Sequence, residues 1–212
     1  MEIAKFLRFE EKAYQTVYAE PEEGFHKTLI PRMVKDFIPQ FNLKQDDVIL
    51  DIGCGPGLFI KEMNQLNYTS VIGVTLSNED FKICQDKNFK VIKSSMSDLD
   101  FKDNSVDFIW CRHALEHSPY PLFTLYEFNR VLKETGKVYI EVPAPDCVRG
   151  HEANPNHYSI LGHTMWIHLF IKANFKILFA NFFEFNVSET NNNKTEEKLE
   201  KYIIYGIEKC KM

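Results

Sequence analysis

The sequence lacks the features that mark several classes of protein. Its 25 lysines and arginines are outnumbered by 30 acidic residues, which gives a net charge of −5, and no block of basic residues stands out. A nucleic-acid substrate is therefore not expected, because a phosphate-backbone partner needs a basic footprint. No apolar run approaches the roughly 18 residues of a membrane helix, and charge occurs close to the amino terminus. We expect no signal peptide and no membrane span.

A disulfide framework and a second domain are not indicated either. The five cysteines are scattered and odd in number, which suits a reducing compartment, so we predict a cytoplasmic protein. With 212 residues, 44% of them hydrophobic, the chain is long enough for one globular domain with a three-layer core. Within this single domain over 1–212, we predict an N-terminal helical cap over 1–46, where apolar residues recur at helical spacing, and a core over 47–212.

The rest of the chain is organised around residues 48–59. Apolar residues run into Asp51, and Gly53, Gly55 and Gly57 follow at alternate positions before a second apolar group. This pattern predicts a buried strand, a tight turn and a helix. The glycines let the backbone approach a ligand, and the start of the helix directs unpaired N–H groups towards it. A ligand is therefore predicted at this turn, next to the carboxyl end of the strand.

The spacing of the glycines separates two kinds of ligand. A dinucleotide fingerprint is G-x-G-x-x-G, whereas Leu58 occupies the position of its third glycine here. The hydrophobic strand, the acid and the G-x-G-x-G of residues 48–57 closely resemble motif I of the class I S-adenosylmethionine-dependent methyltransferases. A nicotinamide dehydrogenase is the rival interpretation that shares the fold class.

Further stretches extend the resemblance over most of the chain. Residues 103–111 resemble motif II of the family, and the run from Leu115 to Gly136 is the most specific match after motif I. The resemblance implies an α/β, three-layer Rossmann-like methyltransferase fold with N-terminal cap helices, in which a mostly parallel seven-stranded sheet has an antiparallel last strand. It also implies S-adenosyl-L-methionine as the cofactor, S-adenosyl-L-homocysteine as the product and methyl transfer as the activity.

The resemblance further implies which residues hold the cofactor, with two departures from the family pattern. Thr75 ends the second predicted strand, where such folds usually have an acid for the ribose hydroxyls. Ser95 stands where an acid is expected against the adenine amino group, which leaves Met96 and Asp98 as the adenine contacts. The predicted cofactor-binding residues are Asp51, Gly53, Cys54, Gly55, Gly57, Thr75, Leu76, Ser95, Met96, Cys111 and His117.

The methyl acceptor is less well determined than the cofactor. The sulfonium carries an activated methyl group, so catalysis is mainly positioning, with a base only where the nucleophile arrives protonated. Size and acidic charge favour a small molecule; O-, N- and C-methylation stay open, as does the oligomeric state. His113 and His157 are the candidate bases, because they lie in the loops expected beside the methyl donor and histidine titrates in the required range. The predicted acceptor-binding residues are Tyr14, Tyr18, His151 and Tyr158.

Three alternatives stay open. The two tyrosines also suit core or lid packing, and the polar cluster at 151–158 also suits a surface loop. Residues 113–117 spell H-x-x-E-H, the pattern of inverted zinc proteases, which on a helix would place two histidines on one face. We expect no metal there, because the stretch follows a buried strand and short motifs match often by chance. The third alternative is a catalytically silent S-adenosylmethionine-binding module, since Thr75 and Ser95 replace acids.

The last third of the sequence predicts three strands and a polar excursion. The fifth strand is predicted at 137–142 after a turn at 134–136, and the last two strands at 175–186 and 201–210. Between these two, the charged and asparagine-rich residues 188–200 predict a mobile excursion.

Overall fold

The computed structural model describes residues 3–17, 19, 24–191 and 194–211, and in these ranges helices flank one mixed sheet. No helix in these ranges is both long and apolar enough to cross a membrane. The described α-helices are α1 (Ile3–Ala13), α2 (Phe25–Phe37), α3 (Leu58–Gln65), α4 (Asn78–Asp86), α5 (Pro121–Val131) and α6 (His163–Lys172). Short 3-10 turns lie at Ile38–Phe41, Leu115–His117 and His151–Ala153.

The sheet has the strand order β3-β2-β1-β4-β5-β7-β6. Its strands are β1 (Ile49–Ile52), β2 (Val71–Thr75), β3 (Val91–Lys93), β4 (Val106–Arg112), β5 (Leu132–Pro143), β6 (Phe175–Asn191) and β7 (Lys194–Lys209). The first five pair in parallel, whereas β7 is antiparallel to both β5 and β6. Among the described strands, β7 alone is therefore reversed. The predicted fold class is confirmed.

The central strands are covered on both faces, which explains their continuous apolar runs. In β1, Leu50 belongs to a core that includes residues of α5 and α6, while Ile49 belongs to a second core that includes residues of α2 and α3. In the second core, the Trp110 ring stacks between Phe59 and Tyr139, with ring centroids 4.4 and 3.9 Å away. Because both faces are filled, the polar groups of these strands emerge at the carboxyl ends.

Two predictions about the last third of the chain are wrong. The turn predicted at 134–136 is an irregular stretch inside β5, where Thr135 has a φ of 64° and the register with β4 shifts. The excursion predicted at 188–200 is instead the continuation of β6 and β7, which pair as far as Asn191 and Lys194. Backbone pairing satisfies the N–H and C=O groups whatever the side chains are. Polar composition is therefore a weak guide to structure in a hairpin.

The helices α1 and α2 precede β1, and they differ in how deeply they are buried. Met33 and Val34 of α2 are buried in the second core, whereas Phe9 of α1 is largely exposed. The carbonyl of Ala13, the last residue of α1, accepts a hydrogen bond of 2.8 Å from the hydroxyl of Tyr158. This contact holds the end of α1 near the carboxyl edge of the sheet. The division of the chain into a cap and a core stays a prediction.

Candidate active site

A cavity opens at the carboxyl ends of β1, β2 and β4, as expected for an open parallel sheet. The cavity and its mouth together enclose about 790 Å³, open solvent included. The end of α1 and the residues up to Val17 form part of its wall. The described residues that line it are Ala13, Tyr14, Thr16, Val17, Gly53, Gly55, Val74, Thr75, Leu76, Ser77, Asp80, Ser94, Met96, His113, Ala114, His117, Asn156 and Tyr158.

The turn after β1 brings backbone rather than side chains to the cavity wall. Gly53 and Gly55 have φ angles of 69° and 50°, in the left-handed region that glycine adopts without strain. A Cβ atom at Gly53 would lie 2.8 Å from the Cβ of Ala114. A side chain therefore does not fit at this position, and the main chain can approach a ligand directly.

A smaller cavity adjoins the first at Gly53, Gly55 and His113, and Asp51 lies in its wall. Asp51 is 3% exposed, and its Oδ2 atom has no hydrogen-bond partner among the described residues. Burial raises the pKa of Asp51 well above its ordinary value. Because a buried carboxylate without a partner is costly, this side chain is suited to a cation that arrives with a ligand.

Polar groups at the end of β2 line another part of the cavity wall. The Oγ1 of Thr75 accepts a hydrogen bond of 3.1 Å from the N–H of Ser77, and the Oγ of Ser77 accepts one of 3.1 Å from the N–H of Asp80. Ser77 thereby caps α4. The carboxylate of Asp80 is buried and lies at the cavity wall. Asp80, in the first turn of α4, is thus a buried acid at the same wall as Thr75.

A buried network surrounds Glu141, near the end of β5. Its Oε1 lies 2.9 Å from Nη2 of Arg112 and 2.9 Å from Nε2 of His113. Its Oε2 accepts a hydrogen bond of 2.6 Å from the hydroxyl of Tyr139. The other ring nitrogen of His113, Nδ1, lies 3.7 Å from Oε1 of Glu116. Both nitrogens of His113 therefore face carboxylates.

The same network shifts the pKa values of its members. Burial alone would raise the pKa of Glu141, but Arg112 and His113 outweigh it and lower the pKa to about 2. Burial and Arg112 act to lower the pKa of His113, but its hydrogen bonds with Glu116 and Glu141 outweigh them and raise it. Burial, with His113 and Arg112 nearby, lowers the pKa of His26 to about 3. His26 is thus neutral at physiological pH, and its Nδ1 accepts a hydrogen bond of 2.8 Å from Arg112.

A second group of histidines lies between the end of β4 and the loop that follows β5. The Nδ1 of His117 is 2.9 Å from the carbonyl oxygen of Asn156, and the Nδ1 of His157 is 2.8 Å from that of His151. The ring centroids of His117 and His157 are 4.7 Å apart. Further along, Nε2 of His151 pairs with the buried Glu200 at 2.7 Å.

Comparisons with known proteins identify the family of this chain. The family described as "Methyltransferase domain" matches residues 50–140. An uncharacterized protein of Methanocaldococcus jannaschii is 32% identical over 159 residues, which are 74% of this chain and 68% of that protein. The chain belongs to the class I S-adenosylmethionine-dependent methyltransferases.

More distant members of this methyltransferase family agree in fold or in part of the sequence. A demethylmenaquinone methyltransferase of Staphylococcus saprophyticus is 30% identical over 120 residues, 53% of this chain and 50% of that enzyme. A SAM-dependent methyltransferase structure from Archaeoglobus fulgidus has a TM-score of 0.68 at 20% identity, and covers 96% of this chain and 99% of its own. The chain spans about half the length of two other curated relatives, 47% and 48%.

The cofactor of this methyltransferase family is S-adenosylmethionine, and the site fits it. S-adenosylmethionine carries an ammonium and a sulfonium, and the buried Asp51 carboxylate has an oxygen without a partner among the described residues. Gly53 and Gly55 present backbone without a Cβ atom at the cavity walls. Most of the residues predicted to bind the cofactor lie on the walls of the two cavities: Asp51, Gly53, Cys54, Gly55, Thr75, Leu76, Met96 and His117.

Three residues predicted to bind the cofactor line neither of these two cavities. Gly57 precedes α3, where a Cβ would lie 2.6 Å from the ring of Phe89, so it is fixed by packing. The Oγ of Ser95 accepts a hydrogen bond of 3.2 Å from the N–H of Ser97, while the residues on either side of Ser95 line the cavity. Cys111 is fully buried in the core beneath the end of β4. Their roles in binding stay predictions.

The residues predicted for the acceptor are divided between the cavity and its surroundings. Tyr14, Tyr158 and His113 line the cavity, and Tyr18 lies outside the described residues. His151 is engaged with Glu200, away from the cavity wall. His157 does not line the cavity, and its ring centroid lies 4.7 Å from that of His117, which does. The roles of His113 and His157 as bases stay predictions.

The H-x-x-E-H stretch does not form the helix that the zinc-protease pattern requires. His113 has a φ of 50° and precedes a 3-10 turn at Leu115–His117. Its Nε2 is occupied by Glu141. The pair of histidines on one helical face is therefore not formed.

Several residues of the site were not predicted from the sequence, among them Asp80, Arg112, His26 and Asn156. Two of them could have been recognised in the sequence: Asp80 lies three positions after Ser77, the capping residue of α4, and Arg112 directly follows the fourth predicted strand. His26 and Asn156 come from distant segments. Nothing local in the chain marks them, since only the tertiary fold brings them to the carboxyl edge of the sheet.

Proposed function

We propose that the protein transfers the methyl group of S-adenosylmethionine to a small-molecule acceptor in the cytoplasm. One observation carries the proposal: Asp51, a buried carboxylate with an unpartnered oxygen among the described residues, lies directly before the glycine turn. Such a group is stable only with a cationic ligand or when protonated. The five unpaired cysteines support the cytoplasmic location.

The residues of the cavity divide the binding of the cofactor among them. We assign its ammonium-bearing end to Asp51 and to the backbone at Gly53, its ribose hydroxyls to Thr75 and Asp80, and its adenine to the apolar side chain of Met96. When bound, S-adenosylmethionine supplies a methyl group already activated by the sulfonium. The remaining task of the protein is to position the acceptor and exclude water.

The acceptor is assigned to the side of the cavity formed by Tyr14, His113 and Tyr158. The cofactor would share this cavity with the acceptor, which favours a small acceptor. The similarity to a demethylmenaquinone methyltransferase supports an acceptor with an aromatic or apolar body. Because both nitrogens of His113 face carboxylates, we assign this residue to orienting the acceptor rather than to removing its proton.

Isothermal calorimetry with S-adenosylmethionine, S-adenosylhomocysteine and NAD tests the proposal. We expect the first two to bind, and Asp51→Asn to weaken S-adenosylmethionine at least about tenfold, the usual scale for losing a charged partner. The free energy of unfolding of Asp51→Asn should not fall, since the substitution removes a buried carboxyl group that has no hydrogen-bond partner for Oδ2 among the described residues. Asp100→Asn, at an exposed position, is the matched control. Binding of NAD alone would contradict the proposal.

A labelled methyl group offered with a metabolite extract tests the transfer itself. We expect label in a small-molecule fraction, and less of it at a limiting concentration of S-adenosylmethionine when Asp51→Asn replaces the wild-type protein. Tight binding of S-adenosylmethionine without any labelled product would favour the silent binding module instead.

A further inference from the structure

Glu116, His117 and His157 bring three metal-binding groups together beside the cavity. One possible ligand atom from each side chain lies within 4.8 Å of the others. Two imidazoles and one carboxylate are the donor set of catalytic zinc sites and of several sites for other first-row divalent metals. The group differs from the H-x-x-E-H pair of the sequence, because His157, from the loop after β5, takes the place of His113.

The hydrogen bonds of the two histidines to carbonyl oxygens determine which ring nitrogen carries the proton. A carbonyl oxygen can only accept, so Nδ1 of His117 donates to Asn156 and Nδ1 of His157 donates to His151. In each neutral ring the lone pair is then on Nε2. The Nε2 of His157 lies 3.2 Å from the side-chain amide of Asn154, a contact that a cation would replace. Carbonyl partners on the second nitrogen are the usual support of metal-binding histidines.

The third donor, Glu116, is 1% exposed. Its Oε1 faces His113 at 3.7 Å, whereas its Oε2 has no hydrogen-bond partner in the described part of the chain. A buried carboxylate oxygen is costly unless something binds it. This oxygen, unpartnered among the described residues, is evidence for a ligand that does not depend on the arrangement of the two histidines.

The two segments that carry the donors are joined through their backbones. The carbonyl of Glu116 accepts hydrogen bonds of 2.8 Å from the N–H of Tyr158 and 3.1 Å from that of Ser159. The hydroxyl of Ser159 also donates to the carbonyl of Ser118 at 3.2 Å. The donors are therefore held near one another by the fold, so a cation needs little rearrangement.

We infer that Glu116, His117 and His157 bind one divalent transition-metal ion, of which zinc is the representative, with an open position towards the methyl acceptor. Three protein ligands plus one exchangeable position is the arrangement of catalytic zinc. His117 lines the cavity, so the ion lies at its wall.

The choice of the acceptor as the fourth ligand rests on the proposed function, whereas the metal site does not. An acceptor hydroxyl on the ion would lose its proton to solvent more readily. In the balanced reaction, R–OH and S-adenosylmethionine give R–OCH3, S-adenosylhomocysteine and H⁺: the O–H and S–CH3 bonds break, the O–CH3 bond forms, and the electrons of the S–C bond stay on sulfur. Because such an ion would help a bound hydroxyl lose its proton, we take the acceptor class to be an alcohol or a phenol.

Equilibrium dialysis of the full chain against zinc, after treatment with a chelator, tests the site by elemental analysis. We expect one zinc per chain. We expect His157→Ala and Glu116→Gln to weaken zinc binding by about a hundredfold or more. Loss of a group that only supports a ligand costs about 10–100-fold in metal affinity, and loss of a ligand itself should cost at least the upper value. His168→Ala, which removes an exposed histidine of α6, should leave zinc binding unchanged. Cobalt(II) serves as a second probe, because thiolate ligands give intense charge-transfer bands that this site should lack.

Calorimetry with S-adenosylmethionine keeps the two proposals apart. His157 does not line the cavity, so His157→Ala should keep its affinity for S-adenosylmethionine and its circular dichroism spectrum. If this variant does not fold, Glu116→Gln, which preserves the shape of the side chain, decides the test. A wild-type protein without zinc, zinc retained by both variants, or thiolate bands with cobalt would overturn the metal site and leave the proposed function intact. Zinc binding without binding of S-adenosylmethionine would overturn only the proposed function.

Discussion

Two buried carboxylates, Asp51 on the cofactor side of the site and Glu141 on the acceptor side, have opposite surroundings. On the cofactor side, Asp51 is buried with one oxygen unpartnered among the described residues, and the neighbouring wall is glycine backbone. On the acceptor side, Glu141 has three partners, Arg112, His113 and Tyr139. An unsatisfied buried charge indicates a place for a ligand, whereas a satisfied one indicates a frame that holds other residues. Substitution of Glu141 should therefore mainly lower the free energy of unfolding, whereas substitutions on the cofactor side should also weaken the binding of S-adenosylmethionine.

The largest expected effect is on stability, from Glu141→Gln. Removing one partner of a buried ion pair leaves Arg112 uncompensated, and such losses cost about 3–5 kcal/mol of the free energy of unfolding. Glu184→Gln is the control, because Glu184 pairs with Lys201 at 2.8 Å on the exposed side of the hairpin, and such pairs contribute about 1 kcal/mol or less. Urea unfolding of both variants measures the difference. Equal losses would show that Glu141 is not part of a stabilising frame.

The pH dependence of the same variant sharpens the comparison. The pKa of Glu141 is lowered to about 2 from an ordinary value of 4.5. Its ionised form therefore contributes stability that is fully present above about pH 4.5 and is lost as the pH falls towards about 2. Glu141→Gln should show a flatter dependence of the unfolding free energy on pH in that window. The same slope in wild type and variant would contradict the assignment.

An intermediate effect is expected on the cofactor side, from Gly53→Ala. The left-handed φ costs an alanine about 1–2 kcal/mol, and the approach of 2.8 Å to Ala114 adds an overpacking cost of about 1–3 kcal/mol. Gly150→Ala is the matched control, because Gly150 has a φ of 56° but nothing within 4 Å of the added atom. Chemical unfolding should show a larger loss for Gly53→Ala, and calorimetry should show weaker S-adenosylmethionine binding for that variant alone. Equal losses would mean that strain, and not contact, explains the glycine.

This contrast also explains how much could be predicted from the sequence. The strand, Asp51 and the glycines of the turn lie within ten residues of one another, so the pattern of types along the chain was enough to predict the cofactor end and, through it, the fold. The acceptor side joins residues that are far apart, such as His113 with Glu141 and His151 with Glu200, 28 and 49 positions away. No local pattern records such pairs. For the same reason the sequence associated His117 with His113, whereas the fold associates it with His157.

The smallest expected effect concerns Asp80, and it tests how the cofactor side manages without an acid at Thr75. The buried carboxylate of Asp80 lies at the cavity wall, where it can accept hydrogen bonds from ribose hydroxyls. Hydrogen bonds to charged groups contribute about 1.5–3 kcal/mol, so Asp80→Asn should weaken S-adenosylmethionine binding by at least about tenfold. Glu79→Gln, one position earlier and exposed, also removes an acid from the first turn of α4 and is the control for the helix dipole.

Because adenine lacks the ribose hydroxyls, its weaker binding should be the same in wild type and Asp80→Asn. If Asp80→Asn keeps full affinity while Thr75→Val loses it, the hydroxyl of Thr75 replaces the acid without help from α4.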